Sequence, residues 1–463
     1  MSFALKFTDR STASLDYKLL DTQFGKISGK ESYGKKCKSP RKSAPHQMLK
    51  ASAVYLSGNL ANKAIPFALL PILTRYLSPA EFGLVALFQL SISLTSTVVG
   101  MNIKANIARN YFSVTASEFN QILSSIYTVV TICFVIVQVL FGFSYLFDAN
   151  PFGIPDKWFI IVPLVSLMTV LNGISLTLNR VKGQAWKFIG IDVSNGAIAA
   201  AITIYLVVVM KLGWEGRAIA LTFCSVCYGL LSLYLVVGTM THRPVVQWST
   251  TKHVLKVSLP LFPHALSAVV ITASDRIFID KMLGTEATGI YTVGYQFGAV
   301  AFIFSDAYIK AWSPWFYRKM SSPSDRAKRK IVNLTYASLA GILLIAVAYS
   351  AAAIELLPFF VDDSFIGARE YVSWVSFSCV AYALYQCFFP YLVYAKKTGY
   401  LAFSSSVAML ANLGLNYWLI NAYGAIGAAY ATFWAYLISA ALVVVAANFY
   451  VKMPWLVRTR INQ

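Results

Sequence analysis

The sequence predicts an all-α polytopic membrane protein, with about twelve transmembrane helices in two pseudo-symmetric six-helix lobes. Three observations point there. The composition is too apolar for a water-covered surface. A succession of apolar runs follows, each long enough to cross a bilayer. Basic residues gather in every second gap between those runs.

Hydrophobic residues make up 57% of the 463 residues and charged residues only 13%, against roughly 25% charged in soluble domains. Lipid-facing positions must be apolar, which accounts for the deficit. The formal net charge is +20, from 39 Lys+Arg and 19 Asp+Glu. The basic residues fall mostly between apolar runs, so the positive-inside rule explains them and no nucleic-acid partner is expected. Cys224 and Cys227 form a C-x-x-C without a second pair or a His cluster. They read as packing thiols, with neither a metal site nor a cofactor expected.

Residues 1–47 differ from the rest, with ten Lys/Arg, four acids and no apolar period. They read as a disordered, basic cytoplasmic tail without the apolar core of a signal peptide. Met48 stands just before the first apolar run and is an alternative start. Twelve runs follow, at 49–73, 82–103, 121–147, 157–178, 192–210, 217–238, 254–282, 287–309, 331–358, 370–393, 399–421 and 425–449. About twenty apolar residues suffice to cross roughly 30 Å of hydrocarbon. The expected organisation is an N-terminal lobe over 48–240, a C-terminal lobe over 250–450, and a cytoplasmic tail over 451–463.

With the N-terminus in the cytoplasm, the inner side collects 31 Lys+Arg. The outer side collects seven: Arg75, Lys157, Lys211, Arg217, Arg276, Lys281 and Arg369. Without residues 1–47 the bias is still 21 to 7, which orients both termini inward in a multi-pass inner (plasma) membrane protein. The halves also echo each other. Leu77, Gly83 and Leu84 match Leu283, Gly289 and Ile290 at an offset of 206. Gly213, Gly216, Ala218 and Ala220 match Gly424, Gly427, Ala429 and Ala431 at an offset of 211. Parallel six-helix repeats of this kind are typical of transporters.

The stretch Asn59–Gly83, NLANKAIPFALLPILTRYLSPAEFG, resembles the opening of the polysaccharide-transport flippases of the multidrug/oligosaccharidyl-lipid/polysaccharide exporter superfamily. Leu259–Gly298, LPLFPHALSAVVITASDRIFIDKMLGTEATGIYTVGYQFG, resembles their seventh and eighth helices, and Ala311–Tyr317, AWSPWFY, the loop that follows. The resemblance runs from about residue 48 to 450. It implies a V-shaped transporter of two six-helix lobes. Such a protein moves undecaprenyl-diphosphate-linked oligosaccharide from the inner to the outer leaflet, for O-antigen, capsule or exopolysaccharide synthesis.

A lipid-linked sugar has an anionic diphosphate, a polar glycan and an apolar tail. Its carrier needs a polar, cationic path for the head. Lys63, midway along the first run, is the leading cation; Asn59, Asn62, Lys63 and Pro66 form one stripe at i, i+3, i+4 and i+7. A second stripe in the seventh run holds His264, Ser267, Ile271, Ser274 and Asp275, with Arg276 beside it. Arg276 can fork onto phosphate. Asp275 reads either as its fixed partner or as a proton or sodium site. His264, a lone His near a helix end, reads as satisfied locally. In the eighth run Tyr291, Tyr295, Phe302, Asp306 and Lys310 share a face. Tyr291 and Tyr295 are candidates to stack on sugars, with core packing as the alternative among 27 tyrosines; Asp306 is the second coupling-ion candidate. Gln89, Ser93, Ser96, Gly100 and Lys104 make a comparable stripe on the second run. Lys104 and Arg109 either receive an incoming diphosphate or are ordinary inner-side charges. The basic stretch Arg318–Lys330 reads as a loop on anionic lipid heads.

Three functions remain. The first is the lipid-linked oligosaccharide flippase, with membrane lipids around it and a polysaccharide polymerase and chain-length regulator as candidate partners. The second is an ion-coupled multidrug or small-molecule exporter of the same fold. The third is a membrane polymerase or ligase using the same lipid carrier. Short outer loops without a catalytic constellation, and the lack of GxxxxGK[ST], favour a transporter over an enzyme or an ATP-driven pump.

Overall fold

The computed structural model describes residues 45–455 except 239, 241–246 and 323, with the backbone alone for 45–56, 59, 60 and 63. The basic tail, the start at Met48, the side chains of Asn59 and Lys63, and residues 456–463 therefore lie outside the described residues.

Sixteen α-helices cover the described chain. They are α1 (Pro45–Tyr76), α2 (Pro79–Gly100), α3 (Lys104–Asn110), α4 (Ala116–Leu146), α5 (Asp156–Phe159), α6 (Val162–Val181), α7 (Ala185–Ile204) and α8 (Gly213–Val237). The second half holds α9 (Trp248–Ser258), α10 (Phe262–Leu283), α11 (Thr285–Ala299), α12 (Ala301–Met320), α13 (Asp325–Phe360), α14 (Arg369–Tyr394), α15 (Gly399–Tyr423) and α16 (Ile426–Tyr450). Joined end to end where a short break intervenes, they make twelve long segments, one for each apolar run. Ten of these are long and apolar enough to cross a membrane. The other two are α1, apolar over Ala64–Tyr76, and α15.

The turns have chemical causes. Ser78 and Thr115 start α2 and α4 with capping boxes, each hydroxyl accepting from the N–H of Glu81 or Glu118. Met101 and Asn102 adopt left-handed backbone (φ 38° and 54°) and end α2 at Gly100. Pro260 sits in a 3₁₀ turn, Leu259–Leu261, between α9 and α10, and Pro263 in the first turn of α10.

Two sequence expectations are corrected. Ala311–Tyr317 is not a loop: it lies inside α12, where the Trp312 indole donates to the Cys387 carbonyl at 3.1 Å. The basic stretch is mostly helical too. Arg318 and Lys319 occupy the last turn of α12, and Arg326–Lys330 lie in the opening turns of α13. At about 1.5 Å per residue, the 36-residue α13 spans about 54 Å, well beyond the hydrocarbon core. Its basic start therefore projects from the apolar band.

In lipid, helices associate through close packing rather than hydrophobic transfer. Accordingly Gly427, Ala431, Ala435, Ser439, Val443 and Ala447, spaced by four, form the buried face of α16 against α14 and α15. Opposite faces are apolar and exposed, as with Ile132, Val135, Ile136, Val139 and Phe143 on α4, the signature of contact with acyl chains.

The repeat is real in three dimensions. Gly213 and Gly424 both take positive φ (56° and 72°) at equivalent turns. The halves meet where α2 crosses α11. A Cβ added at Gly83 would run into the Thr285 carbonyl, and one at Gly289 into the Pro79 carbonyl. The two contacts are related by the repeat offset, so the matched glycines pack as a pseudo-symmetric pair. Around them one apolar cluster draws on both halves, including Leu73, Phe82 and Phe88 with Val293, Phe297, Leu357 and Phe365. Phe82 meets Phe365 edge-on at 5.6 Å, and Phe67 meets Phe297 at 5.1 Å. This seals the end of the molecule that carries the tight turns at 77–78, 284 and 424–425. The opposite end carries Lys104, Arg180, Lys182, Arg318, Arg326 and Lys396 and is called the basic end below.

Candidate functional site

Below the sealed end the halves separate around a cavity of about 940 Å³. At roughly 30 Å³ per water, that is room for about thirty waters. Helices α1 and α2 line one side with Asn62, Pro66, Gln89 and Ser93. The other side comes from α10 (His264, Thr272, Arg276), α11 (Tyr295, Gln296), α12 (Phe302, Asp306), α14 (Tyr382, Tyr385, Gln386, Phe389) and α16 (Tyr436, Ser439). These residues lie near helix midpoints and onward toward the basic end, so the cavity extends away from the seal.

Arg276 is the cation of its C-terminal wall. It is 9% exposed, beside an Asp275 that is fully buried. Its Nη1 donates to Asp275 Oδ1 at 3.2 Å and to the Thr272 carbonyl at 2.8 Å. Its backbone N–H donates to the same Asp275 oxygen at 2.9 Å. The second oxygen, Oδ2, accepts from the Tyr291 hydroxyl at 2.5 Å. The guanidinium lies over the Tyr295 ring, 4.4 Å from its centroid. Among the described residues these side-chain bonds run through Nη1, and Nε and Nη2 carry further donors. A carboxylate that spends both oxygens in this way fixes the position of a guanidinium, as expected of a buried, paired charge.

The predicted residues separate into groups. Asn62, Arg276, Tyr295 and Asp306 share the cavity. Asp275 and Tyr291 lie behind its wall, both with no exposed surface. On α10 the cavity takes His264 and Ile271 from the expected stripe, together with Ala268, Thr272, Ala273 and Arg276. Ser274 instead donates to Asn412 at 3.1 Å, inside the packing of α10 on α15. His264 is satisfied by Ser405, 2.9 Å away. Lys310 is exposed and does not line the cavity.

Lys104 does not continue the α2 stripe, because the helix breaks at Met101–Asn102 and Lys104 begins α3. It nonetheless reaches a second cavity of about 230 Å³, beside Ser96, Gly100 and Thr169. Lys104 is exposed, yet surrounding protein and the nearby Arg180 push its pKa down. Arg109 is exposed in the last turn of α3 and lines neither cavity.

Sequence reasoning missed the α14 wall. Tyr382, Tyr385, Gln386 and Phe389 recur at i, i+3, i+4 and i+7. An aromatic and amide stripe on an otherwise apolar helix was the available signal.

The family model described as "Polysaccharide biosynthesis protein" matches residues 48–320. An uncharacterized membrane protein of Haemophilus influenzae is 24% identical over 381 residues, covering 79% of this chain and 89% of the relative. Among solved structures, the inward-facing conformation of a multidrug resistance MATE family transporter of the MOP superfamily aligns with TM-score 0.64 and 13% identity. It covers 86% of this chain and 97% of that one. Lipid II flippase MurJ, in an inward closed conformation, aligns with TM-score 0.58 and 15% identity, over 86% of this chain and 87% of that one. The fold is thus that of these membrane transporters, and the family match covers more than half of the chain. This multi-pass membrane protein belongs to the polysaccharide biosynthesis protein family.

Proposed function

We propose that the protein is a flippase for undecaprenyl-diphosphate-linked oligosaccharide, moving repeat units across the inner membrane for O-antigen, capsule or exopolysaccharide synthesis. The observation that carries this reading is the 940 Å³ cavity between the halves, with the Arg276 guanidinium fixed on its otherwise largely apolar wall. A desolvated, immobilised guanidinium forms charge-assisted bonds to a diphosphate, about twice as strong as neutral ones. Asn62, Gln89 and Ser93 opposite it supply further donors. The apolar tail stays in lipid. The head crosses as the halves rock about the α2–α11 contact, which is closed in this state. The basic ends of α12 and α13 suit anionic lipid heads. With both termini cytoplasmic, the cavity extends toward the cytoplasm, ready for loading. A polymerase and a chain-length regulator would act on the product outside.

Asp306 and the aromatic lining favour a second reading, export of an organic cation. A strain lacking the gene separates the two. The flippase reading expects lipid-linked units to accumulate in the inner leaflet. It also expects surface polysaccharide to return with the wild-type gene, and at least about tenfold less with Arg276→Ala at equal protein level. Unchanged polysaccharide with altered drug tolerance would favour the exporter. Unpolymerised units already outside would favour an enzyme.

A further inference from the structure

We propose that the cavity wall formed by α12, α14 and α16 is a saccharide subsite, with Tyr385 as the hydrogen-bonding group that recognises a sugar hydroxyl. Tyr385 is only 7% exposed and lines the cavity. Its hydroxyl is buried and has no hydrogen-bond partner among the described residues. Leaving such a group unpaired costs about 1–3 kcal/mol, a cost that a guest hydroxyl reaching it from the cavity would relieve.

The surroundings say which guest. Phe302, Tyr382 and Tyr436 form a closed trio of rings on three helices, with centroids 5.4, 6.0 and 5.4 Å apart. All three line the same cavity as Tyr385. Gln386 donates to the Tyr382 hydroxyl at 2.5 Å, which fixes that ring. Its amide oxygen and the Asp306 carboxylate, both at the cavity, are acceptors. Ring faces for C–H surfaces, with acceptors and an orphan phenol for hydroxyls, match a pyranose. An acyl chain offers nothing to the phenol. Among the described lining residues the guanidinium, Arg276 over Tyr295, lies on α10, outside this wall. The cavity therefore carries its guanidinium on α10 and its ring and acceptor groups on α12, α14 and α16.

This assignment rests on the flippase reading and gives its cavity a second function. The test uses the full chain in detergent, with farnesyl diphosphate and the same lipid carrying N-acetylglucosamine, glucose or galactose, and binding measured by calorimetry. At least one glycosylated probe is expected to bind more tightly than farnesyl diphosphate. Tyr385→Phe should erase about threefold to tenfold of that preference, and Tyr382→Ala about tenfold. Neither should change the affinity for sugar-free farnesyl diphosphate. The subsite is refuted if no sugar adds affinity, if both variants keep the preference, or if they weaken all probes in parallel. Failure of the wild-type protein to bind farnesyl diphosphate at all would overturn the flippase reading itself, and the subsite with it.

Discussion

At the residue scale, the wall of the cavity depends on Asp275. It uses Oδ1 for Arg276 and Oδ2 for Tyr291 while having no exposed surface. Removing one partner of a buried pair leaves an uncompensated charge and costs about 3–5 kcal/mol. Asp275→Ala is therefore expected to destabilise the protein by that amount. Arg276→Met should cost at least as much, because it leaves a fully buried carboxylate without its counter-charge. The double variant should be more stable than the sum of the two losses indicates. A thermal-melt double-mutant cycle reads the coupling, and strict additivity would deny the pairing its structural role. The sequence left Asp275 open between fixed partner and ion site. Placing it behind the wall supports the first, since an ion from the cavity would have to pass Arg276 and Tyr295.

At the element scale, the crossing of α2 and α11 depends on two glycines that a sequence offset had already paired. Gly83→Leu or Gly289→Leu would force the backbones apart at the seal, with overpacking costs of about 1–3 kcal/mol. Spin labels on the exposed Tyr76 and Leu283 should then report a longer mean separation than in the parent. An unchanged separation would mean that the crossing yields without opening.

The same elements show what was legible in advance. All twelve runs became helices, because length and hydropathy suffice in a solvent that forbids unpaired backbone. The matched glycines were legible because close approach excludes every other side chain. The break after Gly100 was not read, although Asn102 is a residue type that tolerates the left-handed backbone it adopts. Helical continuity through Ala311–Tyr317 was hidden by Pro314. The α14 wall was passed over because aromatic stripes occur in ordinary cores. Only the cavity on one side of Tyr382 and Tyr385 distinguishes theirs.

At the scale of the whole molecule, the asymmetry of the cavity and that of the charge agree. The sealed end holds the tight turns, and the other end holds the clustered lysines and arginines. With the proposed orientation, the positive-inside rule predicts a cavity that opens to the cytoplasm in this state. Cysteines placed at Ser321 and at Asp363 should label from opposite faces of the membrane, Ser321→Cys from inside and Asp363→Cys from outside. The reverse pattern would invert the direction of loading.

The most direct measurement reconstitutes the purified chain into liposomes containing a fluorescent polyprenyl-diphosphate-linked N-acetylglucosamine and adds a membrane-impermeant quencher outside. The expected result is that quenching proceeds from the outer-leaflet share to the whole pool with the wild-type protein, and far more slowly with Arg276→Ala. Quenching that stops at the outer-leaflet share, as in protein-free liposomes, would contradict the account.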